Sequence, residues 1–445
     1  MRSARRGGAR AAAVGPCPAV LPPGALPASA DAVREKEYWL EDYGITDAWA
    51  TTQGEGVTVA VIDSGIDGTH PDLAGAVVGG TDVSGAGAPD GQLGLGEVPP
   101  HGTLVGTLLA GRGHTADTGP TAGTTPTPAP ASTGAFGDGP DGVIGVAPRA
   151  ELLAVSVWIE GATSGPNPAG VSVDEQIPAA VRWSVDHGAD VINMSLGSNS
   201  TDWPESWDDA FLYAEENDVV IVAAAGNRAG GLTQVGAPAT IPGVLAVAGL
   251  DRSGAASAEA SSEGISIAVA APSEYLGGGL PGGSYADWSG TSGAAPSVSG
   301  VAALIRSRYP ERSAAEVVNR IVDTARDAGP PGFDTLYGYG VLDVAAAVSD
   351  GVRVPSVSRL GGMAEWIQLY RRGGQSPAPA PATPSAPPPQ ALAAPPAPVA
   401  EDPLRPGSTT AATVVLGAAG LLLLVVTGGT LHVVRVLRRP RTRNE

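Results

Sequence analysis

Short apolar runs that alternate with helical patterns most strongly constrain how this chain folds. The runs lie at residues 57–62, 152–157, 191–194, 219–223 and 244–247. Helical patterns separate several of them, at residues 173–187 and 210–216. Buried parallel strands read as nearly continuous apolar segments, and the crossovers between them are usually helices. The alternation therefore predicts an α/β domain around a central, mainly parallel sheet.

Composition and charge exclude several classes of function. The formal net charge is −19, which argues against nucleic-acid binding because phosphate recognition needs a cationic face. The single cysteine, Cys17, precedes the first folded pattern, so the chain has no internal disulfide and no cysteine-based metal site. The spacing of His, Asp and Glu does not resemble a zinc site either. We therefore predict no metal site and no cofactor.

The N-terminal residues have the composition of an export signal. Four arginines and no acid occupy residues 1–10, an alanine-rich stretch follows, and Ala28-Ser29-Ala30 fits a small-x-small cleavage site. We predict that residues 1–30 are a signal peptide and that residues 31–53 form an N-terminal extension of the mature chain. A misassigned start codon is the alternative, because prolines interrupt the apolar centre of the signal.

The C-terminal end predicts a membrane anchor. Residues 411–434 carry no acid, lysine or arginine, and at about 1.5 Å of rise per residue a helix of this length crosses a hydrocarbon core of about 30 Å. A buried core helix is the alternative. The arginine-rich residues 435–445 follow at once, which places this tail in the cytoplasm and the folded domain outside. Residues 375–408 are dominated by Pro and Ala and predict a semi-rigid stalk.

Three polar side chains occur in the order Asp, His, Ser at the ends of predicted elements. Asp63 closes the first apolar run, His101 opens a helical pattern, and Ser292 stands before another helical pattern. Serine is a weak nucleophile that needs a base, and histidine supplies one when a buried carboxylate orients it. Taken singly, these residues have ordinary structural roles as turn formers and helix caps. Together they predict a nucleophilic serine site at the carboxyl edge of the sheet.

A fourth side chain completes this predicted site. Asn227 follows the apolar run at 221–225, again just past a strand. Its amide and the Ser292 N–H would form an oxyanion hole, which stabilises the negative charge that develops during acyl transfer.

These motifs resemble those of the subtilisin-like (S8) serine peptidases over residues 54–348. The matching segments are Val61-Ile62-Asp63-Ser64-Gly65, His101-Gly102-Thr103, Gly145-Val146-Ala147-Pro148, Val191-Ile192-Asn193-Met194-Ser195-Leu196-Gly197, Ala225-Gly226-Asn227 and Gly290-Thr291-Ser292. The resemblance implies a three-layer fold with a seven-stranded parallel sheet between helices. It also implies Asp63, His101 and Ser292 as a catalytic triad, with Asn227 as the oxyanion donor.

The same resemblance implies how a substrate binds. Two strand edges would hold an extended peptide or protein substrate by β-augmentation; their residues are Ser195, Leu196, Gly197, Ala224, Ala225 and Gly226. Asp72 matches a position that ligates calcium in some subtilisins. The sequence shows no full set of oxygen ligands around it, so a structural calcium ion stays an open alternative.

Within this family the layout is most similar to the mycosins, membrane-anchored proteases of actinobacterial type VII secretion systems. The residues at 48–54, 300–306 and 337–343, the stalk and the final apolar segment carry this likeness. It implies a peptidase domain at residues 54–352 and a type VII secretion complex as a partner. Gly293 departs from the pattern, because relatives carry Met or Phe there, and it predicts looser packing behind Ser292.

Two short segments flank the predicted peptidase domain. Residues 31–53 are too short for an independent inhibitory domain, so we expect them to wrap the peptidase domain without blocking it. Residues 353–374 contain apolar side chains at helical spacing. We expect this short helical segment to pack on the domain, and docking on a partner or on the bilayer surface is the alternative.

Two functions from different classes follow from these observations. The first is a membrane-anchored, extracytoplasmic serine endopeptidase. The second is a structural subunit of a secretion complex in which catalysis is secondary. An esterase is disfavoured, because no Gly-x-Ser-x-Gly motif surrounds Ser292.

Overall fold

The computed structural model describes residues 14–16, 33–115, 138–161 and 163–371. The chain divides into two units, residues 1–375 and 376–445, and all described residues belong to the first. The predicted stalk, membrane helix and basic tail lie outside the described residues, as does most of the predicted signal peptide. Within the described ranges, the helices are all too short or too polar to span a bilayer.

Strands form most of the centre of the described part. Their bounds are β1 Val14–Pro16, β2 Thr58–Asp63, β3 Val77–Asp82, β4 Arg112–His114, β5 Asp141–Ile144, β6 Glu151–Ser156, β7 Val191–Met194, β8 Leu196–Ser198, β9 Val220–Ala224, β10 Leu245–Leu250, β11 Ile267–Pro272, β12 Leu276–Leu280 and β13 Ser284–Trp288. Seven of them build one sheet in the order β11-β10-β9-β7-β2-β6-β3. Every neighbouring pair in this sheet is parallel. The predicted parallel sheet is therefore confirmed.

Helices cover both faces of the sheet. In the described ranges they are α1 Trp39–Asp42, α2 Ile45–Trp49, α3 His101–Ala110, α4 Val173–Asp186, α5 Asp208–Glu216, α6 Thr291–Arg308, α7 Ala314–Thr324, α8 Val344–Val348 and α9 Met363–Trp366, which continues as a π-helix over Ile367–Arg371. Every residue of β9, β10 and β11 is buried. Because successive strand side chains point to opposite faces, both faces must be covered.

The parallel sheet brings distant segments to one edge. α3 packs against α6, and α4 packs against α5. The carboxyl ends of β2, β7 and β9 are adjacent because β7 lies between β2 and β9. The residues at these strand ends therefore lie close together, although the end of β2 is more than 100 positions away from the ends of β7 and β9 in the chain.

Residues 33–53 pack along the main domain, as expected from the sequence. The Trp49 indole N–H donates to the Val146 carbonyl (2.8 Å), and the Tyr38 hydroxyl donates to the Glu274 carbonyl (2.9 Å). The fully buried Glu37 carboxylate accepts from the Ile144 N–H (2.9 Å) and pairs with Arg34 (3.0 Å). Burial raises the pKa of Glu37 well above its ordinary value, which the Arg34 charge opposes. These contacts hold the extension against β5 and against the segments at Val146 and Glu274.

The C-terminal segment also packs on the main domain. Met363 and Ile367 are buried, and the Trp366 ring lies 4.7 Å from the Trp203 ring. The Arg371 guanidinium pairs with the Asp208 carboxylate at 2.7 Å. The structure therefore favours the first of the two expectations for this segment, packing on the domain.

Candidate active site

Asp63 and His101 form a buried hydrogen-bonded pair. Asp63 is the last residue of β2 and His101 is the first residue of α3. The His101 Nδ1 atom lies 2.8 Å from Asp63 Oδ1 and 3.0 Å from Oδ2, and both side chains are about 2% exposed. A carboxylate at Nδ1 favours the tautomer with its proton there, which leaves Nε2 free to act as a base. This arrangement suits general-base chemistry.

Ser292 lies in the first turn of α6. Its hydroxyl is buried and donates to the Ser195 carbonyl at 3.2 Å. Among the described residues, His101 Nε2 has no hydrogen-bond partner. The Ser292 hydroxyl must therefore turn from the Ser195 carbonyl toward His101 before a proton can pass between them. Such bonds often tighten only when a substrate is present.

Thr291 orients the Asn227 side chain. The Asn227 Oδ1 atom accepts from the Thr291 N–H and from the Thr291 hydroxyl, both at 2.8 Å. The amide nitrogen lies next to Gly290, where an added Cβ would be 2.8 Å from Nδ2. Gly290 also has a φ of 153°, so a side chain at this position is excluded both by the space and by the backbone. The sequence analysis did not predict this role for Thr291.

The two predicted substrate edges differ in what their backbone groups already bind. Ala224 ends β9, the Ala225 N–H donates to the Val247 carbonyl (2.9 Å), and the Gly226 carbonyl accepts from the Ser262 N–H (2.7 Å). Those backbone groups of Ala225 and Gly226 are thus used inside the domain.

The other edge pairs with another segment of the chain. Ser195 precedes β8, and β8 pairs antiparallel with β1, with Pro16 opposite Leu196 and Gly15 opposite Gly197. An extended segment from the region predicted as a signal peptide therefore occupies the edge predicted for a substrate.

A buried polar network lies behind Ser292. The Asn193 amide donates to Ser195 Oγ (3.0 Å) and accepts from the Ser299 hydroxyl (2.9 Å), and Ser195 Oγ donates to the Ser292 carbonyl (2.9 Å). The network links β7 to α6 and limits how Ser292 can move. Asn193 is the residue from which the sequence could have indicated this network, because it is a polar residue inside a fully buried strand and needs hydrogen-bond partners there.

The model of the Subtilase family, peptidase family S8, matches residues 54–340, which is more than half of the chain. The chain belongs to the subtilase family. Its relatives include several subtilisins.

The relatives of this subtilase differ in how much of their own length the match covers. Fervidolysin of Fervidobacterium pennivorans is 33% identical over 336 residues, which are 70% of this chain and 44% of fervidolysin. Subtilisin DY of Bacillus licheniformis is 35% identical over 300 residues, covering 66% of this chain and 92% of that protein. The subtilase thus spans less than half the length of fervidolysin but nearly all of subtilisin DY.

Solved structures agree with the family assignment. The crystal structure of fervidolysin superposes with a TM-score of 0.59 at 29% identity, over 73% of this chain and 48% of that one. The crystal structure of the mycosin MycP1 with its N-terminal propeptide removed gives a TM-score of 0.53 at 28% identity. That match covers 71% of this subtilase and 98% of the MycP1 chain.

The Asp72 carboxylate of this subtilase is hydrogen-bonded to other groups of the protein. Its carboxylate accepts from His114 Nδ1 (2.6 Å) and from the Val143 N–H (2.8 Å). In the described ranges, no group of three or more His, Cys, Asp or Glu side chains is placed to hold a metal ion. Nearby His70 is buried, which lowers the pKa of its imidazole, and it accepts from the Asp72 N–H (3.1 Å). These contacts stabilise the turn after β2.

Proposed function

We propose that this subtilase is a serine endopeptidase that hydrolyses extended peptide segments. The observation that carries the proposal is the buried Asp63–His101 pair at the sheet edge where the Ser195 carbonyl accepts from the Ser292 hydroxyl, with Asn227 held in place by Thr291. In the acylation step the Ser292 Oγ attacks the substrate carbonyl carbon, and His101 Nε2 accepts the hydroxyl proton. Asp63 then stabilises the resulting imidazolium, and His101 returns the proton to the leaving amine.

Two donors serve the oxyanion in this proposal. The Ser292 N–H belongs to the first turn of α6, and the N–H groups at the start of a helix point out of it toward an incoming acceptor. The Asn227 amide nitrogen lies beside Gly290, at the start of the same helix. Negative charge on the substrate oxygen is further favoured by the helix dipole.

The edge of β8 is the proposed site for the substrate backbone. The antiparallel pairing of β1 with β8 supports this, because it is a main-chain ladder of the kind that an extended substrate would form. Such a ladder selects unfolded or exposed segments over compact domains.

Labelling with a fluorophosphonate tests the proposed nucleophile. The purified full-length chain is incubated with the probe, digested, and the modified residue is located by mass spectrometry. We expect a single label on Ser292, and we expect heat-denatured protein to remain unlabelled. A folded chain that takes up no label, or takes it up at another serine, would contradict the proposal.

The β1–β8 pairing predicts competition with substrate. A chain that begins at Val33 lacks β1, so we expect its KM for an extended chromogenic peptide to fall about tenfold with kcat unchanged, equal to about 1.4 kcal/mol. A chain that begins at Ala11 keeps β1 and is the matched control, with the KM of the full chain. Equal KM values in all three proteins would show that β1 does not compete.

We further propose that the peptidase domain lies outside the cell, held by one membrane helix at residues 411–434 with the tail at 435–445 in the cytoplasm. The apolar composition of the first segment and the arginines of the second support this. The second candidate function, a subunit of a type VII secretion complex, is supported by the likeness to MycP1 over 98% of that chain.

A further inference from the structure

The space behind Ser292 is filled, although the residue after it is a glycine. The sequence analysis predicted looser packing there, and this prediction was wrong. A Cβ added at Gly293 would collide with Leu276 Cδ1 and would lie 3.4 Å from Leu108 Cδ1 and 3.5 Å from the Trp288 ring. Side chains from elsewhere in the fold therefore occupy the volume that a larger residue at position 293 would take.

Two of these side chains form a cross-strand pair. β12 and β13 are antiparallel, and Leu276 lies directly opposite Trp288. Both side chains are about 1% exposed. Opposed residues on one face of a hairpin pack against each other and behave as a unit.

The hairpin is fastened to the helix that begins at His101. The Gly279 N–H donates to the Thr107 hydroxyl of α3 at 3.0 Å. A Cβ at Gly278 would lie 2.8 Å from the Leu104 side chain and 2.8 Å from Trp288 Nε1. The glycines of β12 thus allow its backbone to approach α3 closely, and the approach places Trp288 against that helix.

Trp288 also contacts the proposed base directly. Its ring lies edge-on to the His101 imidazole, with centroids 5.9 Å apart and planes at 78°. Trp288 stands four positions before Ser292 in the chain. One aromatic side chain therefore packs on the imidazole of His101 and on the turn that carries Ser292.

We propose that Leu276 and Trp288 are positioning residues that replace the side chain missing at Gly293 and hold His101 and Ser292 in reacting geometry. The proposal rests on the function proposed above. Because Gly293 has no side chain, the first turn of α6 is supported by packing against the β12–β13 hairpin. A small displacement of a nucleophile from its base costs orders of magnitude in rate.

Four variants test this, each assayed for the rate of fluorophosphonate labelling and for the thermal unfolding midpoint. For Trp288→Ala we expect labelling to slow about 100-fold, while Trp288→Phe stays within about fivefold of wild type because an aromatic ring remains. For Gly293→Met we expect slow labelling and a lowered midpoint, because the new side chain collides with Leu276. For Gly293→Met combined with Leu276→Ala we expect recovery of both, since the truncated Leu276 leaves room for methionine.

Steady-state peptide hydrolysis separates positioning from general damage. Trp288→Ala should lower kcat with little change in KM, since the ring packs on the base and not on the edge proposed for the substrate. Trp207→Ala is the matched control, because Trp207 is equally buried but packs on Phe211. It should lower the unfolding midpoint without changing the labelling rate.

The outcomes distinguish this proposal from the proposed function. Normal labelling of Trp288→Ala, or no recovery in the double variant, would overturn the positioning role while leaving the peptidase intact. A wild type that never labels would refute the peptidase and, with it, any role in positioning a reaction. The unfolding midpoints of the Gly293 variants would then still decide whether Leu276 fills that space.

Discussion

Replacing Ser292 with alanine is expected to lower kcat for peptide hydrolysis by about 10⁶-fold, because the variant lacks the hydroxyl that forms the acyl-enzyme. Residual catalysis over water of about 10³- to 10⁴-fold should persist, since the oxyanion donors and the β8 edge remain. The measurement is steady-state hydrolysis of an extended peptide by the purified variant. Its folding is checked by the thermal unfolding midpoint, which should stay near that of wild type because only one oxygen atom is removed.

The same substitution separates the two candidate functions in the cell. If the protein acts as a peptidase, Ser292→Ala should abolish its biological effect as a deletion of the whole gene does. If the protein acts mainly as a structural subunit, secretion should survive Ser292→Ala and fail only in the deletion. Activity of the purified variant within tenfold of wild type would refute the assignment of Ser292 as the nucleophile.

Asp63→Asn is expected to lower kcat by about 10⁴-fold. The amide removes the negative charge that stabilises the imidazolium, and it favours the wrong tautomer of His101. The volume hardly changes, so the fold should persist. The measurement is kcat at fixed pH, with fluorophosphonate labelling as a second readout of the acylation step.

Asp72→Asn is the matched control for Asp63→Asn. Asp72 is also buried and also accepts a hydrogen bond from a histidine, His114, at 2.6 Å, but it lies outside the proposed site. We expect this variant to lose stability while its kcat stays within about threefold of wild type, because only the unfolding equilibrium is affected. An equal loss of kcat in both variants would mean that Asp63 acts through stability alone.

We expect the losses of kcat in Ser292→Ala and Asp63→Asn to be independent of the N-terminal and C-terminal segments. Asp63, His101, Ser292 and Asn227 all lie in residues 54–340, the part matched by the subtilase model. The membrane segment and the stalk would change where the chemistry takes place, and β1 would change how readily a substrate reaches β8. The triad variants can therefore be compared in the same full-length background.

The sequence by itself determined the sheet and the residues at its edge. Apolar runs of strand length separated by helical patterns require parallel strands with helical crossovers, and parallel strands carry their carboxyl ends to one edge. Asp63 closes such a strand and Asn227 follows another, so the sequence alone predicts that they lie at the same edge of the sheet. The order and identity of the motifs were specific enough to predict the family.

Only the tertiary structure decided how those residues are held. Ser195 and Ser292 are 97 positions apart and share hydrogen bonds in both directions, and no periodicity in the sequence encodes such a pair. The pairing of Val14–Pro16 with β8 joins segments about 180 positions apart, and the filling of the space at Gly293 by Leu276 and Trp288 depends on the register of a hairpin. Local patterns follow from the rise and twist of helices and strands, whereas these contacts arise only when the whole chain has packed.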